Sequence, residues 1–517
     1  MKITRPIRAA LASLLLGISV AVAQEGDGIF RAAMETNLPT LDVMTTTTYA
    51  TRQATFYFLE PLIAYNENFD IVPMLADSWE ISDDLVQYTF HLREGVPFHN
   101  GDEMKAEDVK ASLERFAEVS PRSESFQNID SIEIVDDYTI AINLSEPAPA
   151  FLPALASPIS YPAIMPKEII EGKGVGDLSV ADYIGTGPYR LESWEPDRYV
   201  HLVRFEDYAV DEDTPMSGLV GSKIAEFAEI YLIPVTEPSA RVAGLLSGEY
   251  DYAEALPTTQ YEQLKNNPDI TTFVTTPGVW YLLEFNHANE WSGNLTFRKA
   301  IQAALDMEEI ALAMTAGQEE FYRIQPSIFF NEQELWWNEA GAEYYNQDNV
   351  DEAKRLLEES GYNGEEIVLL TNRDYDAMYK AVLATANQLQ TKLGMNVKVE
   401  IYDWPGQRAF EENETGWHIT PTFNSLRFDP SDFESSFHSS AERKFYANPE
   451  MDKALEEGAS GSTPEERRKA YEEVQRLVYE DVNALKIADV FSLEAVRSDI
   501  EGFESWYTPR FWNVTRD

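Results

Sequence analysis

Hydrophobic residues at strand spacing and hydrophobic residues at helix spacing alternate along the whole chain, and no flexible linker separates them. Apolar and polar side chains alternate over 88–93 and on both sides of a turn in 132–144, which predicts half-buried strands. Apolar positions along one face of 109–116, and a capping box with proline at 463–466, predict helices. This mixture predicts an α/β (mixed α+β) fold rather than a helical bundle or a β-sandwich.

The first 23 residues have the features of a secretory signal. Three basic residues precede the apolar stretch 9–22, and small residues then precede a cleavage point ahead of Gln24. A short membrane anchor is the alternative, but the apolar stretch is short for a span and polar, Gly-containing sequence follows it. We therefore expect residues 1–23 to be a signal peptide that is removed on export.

The chain contains no cysteine. An exported protein without cysteine has no disulfide framework, so its hydrophobic core must stabilise it alone. It also has no residue for lipid attachment at a mature N-terminus. Because an unanchored exported protein is retained best behind an outer membrane, we expect the periplasm of a Gram-negative bacterium, with neither a lipid anchor nor insertion into the membrane.

The formal net charge of −49 makes nucleic acid and anionic membrane surfaces poor partners. Two interpretations of this charge remain. The acids could attract cationic solutes, or they could form a strongly hydrated surface suited to a saline habitat. Because the acids are spread along the whole chain, the second interpretation is favoured.

Common catalytic and metal-binding patterns are absent from the sequence. It has no GxxxxGK[ST], GxSxG or HExxH motif, and none of its six histidines lies three or four residues from another. The segment 185–188, Gly-Thr-Gly-Pro, reads as a tight turn, because proline removes an amide that a phosphate cradle would need. We expect no cofactor, no metal and no catalysis, although a nickel-binding variant stays open.

Two tryptophans stand beside Pro-Gly pairs. Trp280 follows Pro277-Gly278, and Trp404 precedes Pro405-Gly406. These positions suggest loop-like edges, where an indole ring can face a cleft and stack on a sugar or an apolar side chain. Ordinary packing in the core is an equally good interpretation for each ring.

Several segments together resemble one family, the bacterial extracellular solute-binding proteins of family 5, which bind peptides, nickel, opines and some oligosaccharides. The resemblance is densest over 59–80, 88–101 and 106–109, and it extends over nearly the whole mature chain. Further similar segments are 185–189, 281–301, 351–361 and the Asp429-Pro430 turn. The resemblance implies a large bilobal periplasmic-binding-protein fold with an extra domain and a ligand cleft between the lobes.

The resemblance also implies three domains. The first would be discontinuous, formed by 24–50, 185–275 and 486–517. The second, 51–184, would be the extra domain that carries the family signature, and the third would be 276–485. Two lobes would close on the ligand, and the closed form would meet the permease subunits of an ABC importer in the inner membrane. We expect the binding protein itself to be a monomer.

Relatives that bind dipeptides hold the carboxylate with an arginine and the amine with an aspartate. The resemblance places the arginine at Arg373, although a structural ion pair with Asp374 is the alternative. The aspartate has no counterpart, because its expected position falls near Leu426, and Asp429 could replace it or could form a turn. The other residues expected at the cleft are Tyr49, Trp280, Tyr375, Trp404, Phe423, Asn424 and Arg427.

The function implied by the resemblance is capture of a small peptide or peptide-sized solute. Loss of the amine anchor and the two tryptophans favour an alternative ligand, such as an oligosaccharide, an opine or a glycosylated solute. Retention of Arg373 favours a ligand with a carboxylate. A secreted hydrolase is the third hypothesis, supported only by the abundance of acidic residues.

Overall fold

The computed structural model describes residues 28–413, 415–441 and 446–517. The predicted signal peptide therefore lies outside the described residues. The strands are β1 Ile29–Met34, β2 Ile63–Tyr65, β3 Ile71–Pro73, β4 Ala76–Ile81, β5 Gln87–Leu92, β6 Ile129–Asp136, β7 Thr139–Leu144, β8 Tyr189–Glu195, β9 Tyr199–Arg204, β10 Glu229–Pro234, β11 Tyr252–Leu256, β12 Ile270–Phe285, β13 Tyr322–Arg323, β14 Ile367–Asn372, β15 Val397–Tyr402, β16 Ile419–Ser425, β17 Ala484–Arg497, β18 Ile500–Glu501, β19 Glu504–Trp506, β20 Thr508–Arg510 and β21 Thr515–Arg516.

The helices alternate with these strands, as the mixed hydrophobic periods predict. They are α1 Tyr49–Thr55, α2 Ala106–Val119, α3 Phe151–Ala156, α4 Lys167–Ile170, α5 Pro238–Ser247, α6 Tyr261–Lys265, α7 Leu295–Ala304, α8 Met307–Met314, α9 Val350–Ser360, α10 Asp376–Leu393, α11 Trp404–Glu411, α12 Glu434–Phe437, α13 Pro449–Ser460 and α14 Pro464–Asp481.

One large mixed sheet runs through the described residues in the order β15-β14-β16-β12-β17-β11-β1-β10-β9-β8, with β13 also paired to β17. Its two ends form separate halves. The β1 half contains β1 and β8 to β11, and the β16 half contains β14 to β16. Within each half some neighbours are parallel, including β1 with β10 and β14 with β15. Parallel pairing requires crossover connections, and helices such as α10 provide them.

Two long antiparallel strands, β12 and β17, belong to both halves. The first part of β12 pairs with residues 492–497 of β17, and its last part pairs with 484–490 and also with β16. The pairing register shifts between Thr275 and Val279. A shift in register interrupts the regular ladder, so the two halves meet at a local irregularity in the strands that connect them.

A smaller antiparallel sheet, in the order β4-β5-β7-β6, confirms the strands predicted at 88–93 and 132–144. Tyr88, Phe90 and Leu92 are buried, and the residues between them are half-buried. This alternation is the expected result of a strand with one face on the core. Helix α2 packs beside this sheet with Val109, Leu113 and Phe116 buried, as its apolar stripe predicts.

The capping box predicted at 463–466 is present, and a glycine ends another helix. The Thr463 side chain accepts a hydrogen bond from the Glu466 amide at 3.2 Å, and Pro464 begins α14. Gly361 ends α9 with a φ of 84°, a left-handed conformation that glycine adopts without a steric cost. These local signals fix the ends of two helices of the β16 half.

The turn predicted at 185–188 lies against the backbone that follows α1. A Cβ added at Gly187 would lie 2.6 Å from the Tyr57 carbonyl oxygen and 2.8 Å from the Phe58 Cα. Only glycine permits this approach. Close contact with the backbone therefore accounts for a glycine at position 187.

The predicted domain boundaries fall at identifiable places in the fold. The boundary at 275/276 lies at the register shift of β12, the one at 485/486 lies inside β17, and the one at 50/51 lies inside α1. The three-domain division itself stays a prediction. Among the described helices, none combines the length and the apolar character that a membrane crossing requires.

Candidate ligand-binding site

Four aromatic side chains meet where the strands of the β16 half end. The Tyr375 ring lies 5.2 Å from the Trp404 ring and 5.7 Å from the Phe423 ring, and Phe423 lies 5.7 Å from Tyr281. Tyr375 is exposed, and Trp404 and Phe423 are half-buried. The structure thus brings together three of the aromatic residues predicted at the cleft, at a surface open to a solute.

The loop 373–375 follows β14 directly, at the carboxyl end of parallel strands, which is where open α/β sheets commonly bind ligands. Arg373 is exposed, and its guanidinium lies 5.3 Å from the centre of the Tyr379 ring. The predicted structural alternative was a pair with Asp374. Asp374 instead accepts a hydrogen bond from the Trp404 amide at 2.6 Å, which ties the loop to the start of α11.

A carboxylate from the β1 half approaches the same aromatic group. Glu35 follows β1, and its charge contributes to raising the pKa of both Tyr281 and Tyr375, after the larger effect of burial. Electrostatic interaction of this kind requires proximity. Glu35 of the β1 half therefore lies near the aromatic group of the β16 half.

Two arginines from different parts of the fold approach the ring of Tyr507. Arg52, on α1, is 7% exposed and lies 5.3 Å from the Tyr507 ring centre. Arg427, in the loop after β16, has a pKa lowered by burial, and the nearby charges of Arg122 and Arg52 act in the same direction. Neither arginine forms an ion pair with a carboxylate of the described residues.

Two buried carboxylates lie near Tyr49. Glu254 on β11 accepts hydrogen bonds from the Glu35 amide at 2.6 Å and from the Gln53 side chain at 2.8 Å. Burial raises its pKa to about 7, and the neighbouring charges of Glu494 and Glu35 add to this effect. Burial also raises the pKa of Glu494. Burial is the largest cause that raises the pKa of Tyr49, and the charges of both carboxylates add to it, so all three groups lie near one another.

Tyr49 lies near both the acidic and the basic groups, at the first position of α1. Its hydroxyl donates a hydrogen bond to the Tyr507 carbonyl at 2.8 Å, and its ring lies 5.0 Å from the Arg52 guanidinium. The predicted position of Tyr49 beside the cleft is compatible with this environment, and its role in binding stays a prediction.

The expected loop-edge position of Trp280 is wrong. Trp280 lies within β12, is 2% exposed and pairs with Asn424 on one side and Asp489 on the other. The Lys486 ammonium lies 5.7 Å from its ring centre. The Pro-Gly pair before it produces the register shift and not a loop, so the strand continues and the indole packs in the core.

Two other predicted residues have structural partners. Asp429 forms an ion pair with Arg467 at 2.6 Å and caps the following turn by accepting a hydrogen bond from the Ser431 amide at 2.9 Å. Its expected turn-forming role is therefore present, and its carboxylate is engaged within the protein. Asn424 is buried, and its oxygen accepts weak hydrogen bonds from Arg427 and Ser436, both at 3.5 Å.

Sequence reasoning missed Arg52, Glu254, Glu494 and Tyr507. One signal was available for the first of them. Arg52 is the only charged residue between Asp42 and Glu60, in a chain where 89 residues are acidic. An isolated charge in an otherwise uncharged segment is more informative than one in a charged helix, because it has no local partner.

A cavity of about 410 Å³ lies between the region around α2 and α3 and the segment after β16. Arg122, Ser160, Asp432 and Ser435 are among the residues that line it. The carbonyl of Ile159, next to Ser160, accepts a hydrogen bond from Arg52 at 3.4 Å. The cavity is therefore adjacent to the arginine pair, and its volume is typical of small-molecule sites.

Comparison with known proteins identifies the family. The family model described as "Bacterial extracellular solute-binding proteins, family 5 Middle" matches residues 70–444. The chain belongs to this family. The bilobal fold and the role predicted from sequence, a solute-binding component of an ABC importer, are thereby confirmed.

Similar proteins cover nearly the whole chain. A glutathione-binding protein of Salmonella typhi is 26% identical over 86% of this chain and 85% of its own. The structure of the ABC transporter substrate-binding protein CtaP of Listeria monocytogenes matches with a TM-score of 0.81 at 22% identity, over 92% of this chain and 95% of that one. The periplasmic binding protein DppA of Helicobacter pylori, in complex with the peptide STSA, matches with a TM-score of 0.72 at 23% identity, over 94% and 98%. At these identities the structural matches show the fold.

Proposed function

We propose that this family 5 protein captures a small peptide or a peptide-sized solute between the β1 half and the β16 half, and delivers it to the membrane permease. The observation that carries the proposal is the set of buried polar atoms without hydrogen-bond partners around Tyr49 and Tyr507. They include Arg52 Nε, Arg427 Nε and Tyr507 Oη. Buried polar groups are otherwise almost always paired, so a polar solute would satisfy several of them at once.

The proposed mechanism is binding without chemistry. The two halves move about the irregular part of β12 and β17, and a solute that contacts both halves favours the closed state by its additional affinity for that state. Among the described residues, no group of three or more metal-ligating side chains is present. We place the mature protein in the periplasm as a monomer, on the basis of the signal-like sequence at 1–23 and the periplasmic relative.

An oligosaccharide or glycosylated solute is the second candidate, and one observation favours it. Tyr375, Trp404 and Phe423 form a partly exposed aromatic surface at the end of β14 and β16. Aromatic rings at an accessible surface stack on the faces of sugars. This surface and the charged groups near Tyr49 would contact different parts of one ligand.

Thermal unfolding of the mature protein, 24–517, tests the proposal directly. The protein is heated with pools of peptides, oligosaccharides, opines and nickel. A solute at 100 times its dissociation constant adds about 2.7 kcal/mol to the free energy of unfolding. A higher melting temperature with one class identifies the type of ligand. The absence of a shift with every pool, together with no small molecule in a mass spectrum of the denatured protein, would refute the proposed function.

The Arg373→Ala variant tests the anchor implied by the family resemblance. Loss of the thermal shift for a carboxylate-bearing ligand would place its carboxylate at Arg373. An unchanged shift would leave the exposed Arg373 side chain outside the site and direct attention to the buried arginines.

A further inference from the structure

Arg52 is a buried cation whose hydrogen-bonding capacity is only partly used. Its Nη1 atom donates to the carbonyls of Thr47 at 3.3 Å and Ile159 at 3.4 Å, and its Nε atom has no partner. The rings of Tyr49 and Tyr507 lie 5.0 Å and 5.3 Å from the guanidinium. The rings position the guanidinium but do not neutralise it, because a cation–π contact leaves the charge in place.

Arg427, in the loop after β16, also uses only part of its hydrogen-bonding capacity. Its Nη2 atom makes one weak contact, with the Asn424 oxygen at 3.5 Å, and its Nε atom has no partner. The nearest carboxylate that acts on it is Asp432, which is engaged in an ion pair with Arg122. Phe428, the next residue, packs on Tyr507 with ring centres 4.7 Å apart.

Two cations near each other, neither of which forms an ion pair within the described residues, are costly to bury. The composition makes this arrangement more informative, because the chain has 89 acidic residues and 40 basic ones. A guanidinium presents parallel N–H donors that match a carboxylate. A carboxylate between Arg52 and Arg427 would neutralise both cations, and it would also connect α1 to the loop after β16.

Two carboxylates, which carry the opposite charge when ionised, also lie near Tyr49. Glu494 on β17 is 4% exposed. Burial raises the pKa of Glu494, and the hydroxyls of Ser505, Thr275 and Tyr252 beside the carboxylate act in the opposite direction. Glu254 is adjacent, and its two oxygens accept from the Glu35 amide and Gln53. An ammonium group of a solute would complement this acidic side.

We infer that the residues around Tyr49 bind a zwitterionic solute, with its carboxylate between Arg52 and Arg427 and its cationic group toward Glu254 and Glu494. The inference rests on the proposed function and names the ligand class. It differs from the family-derived expectation, in which the exposed Arg373 holds the carboxylate. Because Arg52 lies on α1 and Arg427 lies in the loop after β16, a carboxylate bound to both would connect these two parts and stabilise the closed state.

The test uses three matched pools of tripeptides, with free termini, with amidated carboxyl ends and with acetylated amino ends. We expect the free peptides to raise the melting temperature and both blocked pools to fail. The best free peptide is then titrated by calorimetry. Because each arginine would supply charge-assisted hydrogen bonds, Arg52→Gln and Arg427→Gln should each raise Kd by about 10- to 100-fold.

A matched control separates these effects from a general loss of charge. Arg355→Gln removes an exposed arginine of α9 that pairs with Glu352 and Glu359, and it should leave Kd unchanged. Arg52→Lys is the second variant if Arg52→Gln folds poorly, since lysine retains the charge and loses the fork. On the acidic side, Glu494→Gln should weaken binding of the free peptide. It should leave binding of the acetylated peptide as weak as it is in the wild type.

Defined outcomes overturn the inference. If amidated peptides bind as well as free ones, or if Kd is unchanged in both arginine variants, the carboxylate does not lie between them. If no tripeptide binds but an oligosaccharide raises the melting temperature, the inference fails while the proposed function stands. If no solute of any class binds and none co-purifies, the proposed function itself fails.

Discussion

Arg122 and Asp432 form an ion pair between the loop after α2 and the segment after β16. The two side chains are 27% and 17% exposed, so the pair is largely shielded from solvent. It connects the small-sheet region to the β16 half across the cavity that both residues line. In the proposed hinge motion, such a pair would be lost when the two parts separate.

The Asp432→Asn variant should therefore favour a more open protein in the absence of ligand. Removing the carboxylate breaks the pair and leaves Arg122 without its partner. We expect a larger radius of gyration by small-angle X-ray scattering. Asp348→Asn is the control, because Asp348 pairs with Lys392 inside the β16 half at 2.7 Å. Equal radii for the two variants would show that the Arg122 pair does not hold the closed arrangement.

Two buried arginines should differ in their contribution to stability. Arg298 donates to the carbonyls of Ser292, Asp481 and Val482 at 2.7–3.2 Å, whereas Arg52 makes two long bonds. Arg298→Gln should cost about 2–3 kcal/mol, because several buried carbonyls lose their donor. Arg52→Gln should cost less than about 1 kcal/mol, because it also removes an unpaired buried charge. Urea unfolding of both variants without ligand measures the difference, and an equal cost would make Arg52 a structural residue.

Two histidines should make the protein less stable in acid. The Nδ1 atoms of His99 and His418 accept hydrogen bonds from the amides of Gly185 and Val368, so both rings are neutral in the fold. Burial lowers the pKa of each from 6.5 to about 4. The unfolded chain therefore binds more protons between these values, and stability is lost as the pH falls from about 6.5 to about 4.

The expected slope is about 1.4 kcal/mol per pH unit for each histidine. His418→Asn retains an acceptor near the Nδ1 position and cannot take up the proton, so its melting temperature should fall less steeply over this range. His91→Asn, on β5 of the small sheet, controls for loss of a histidine as such. A slope in His418→Asn equal to that of the wild type would contradict the assignment.

Glu254 should make the protein less stable as the pH rises, whereas the two histidines make it less stable as the pH falls. Its pKa in the fold is about 7, against 4.5 for an ordinary glutamate, because it is buried and faces Glu494 and Glu35. The folded state therefore binds more protons between these values, and this contribution to stability is lost as the pH rises from about 4.5 to about 7. The melting temperature of ligand-free Glu254→Gln, relative to that of the wild type, should increase over the same range. A constant difference would argue against a raised pKa.

The close approach at Gly187 predicts a steric cost. In Gly187→Ala the new methyl group would lie 2.6 Å from the Tyr57 carbonyl oxygen, and backbone cannot move aside as a flexible side chain can. We expect a loss of about 1–3 kcal/mol in the free energy of unfolding. Gly174→Ala is the control, since its methyl group would meet only the Asp177 side chain, at 3.3 Å. Equal stabilities would contradict this account of the turn.

Local signals predicted the elements well and the site poorly, for a physical reason. The strand at 88–93, the end of α9 at Gly361 and the cap of α14 depend on residues within a few positions of one another, so sequence contains the relevant interactions. Arg52, Arg427 and Tyr507 come from three distant segments, and only the fold brings them together. Trp280 shows the converse error, because a local Pro-Gly pair suggested a loop where two long neighbouring strands maintain the sheet.

The path of β12 and β17 through both halves also limits how a solute can be captured. Two hydrogen-bonded strands can bend together, but they resist sliding past each other and stretching along their length. Each opening therefore returns the same atoms to the same opposing positions. A solute that fits poorly cannot be accommodated by a sideways shift of one half against the other, and in the proposed mechanism it dissociates when the halves next separate. In the proposed mechanism, selectivity therefore depends partly on the stiffness of β12 and β17, and not only on the atoms that contact the solute.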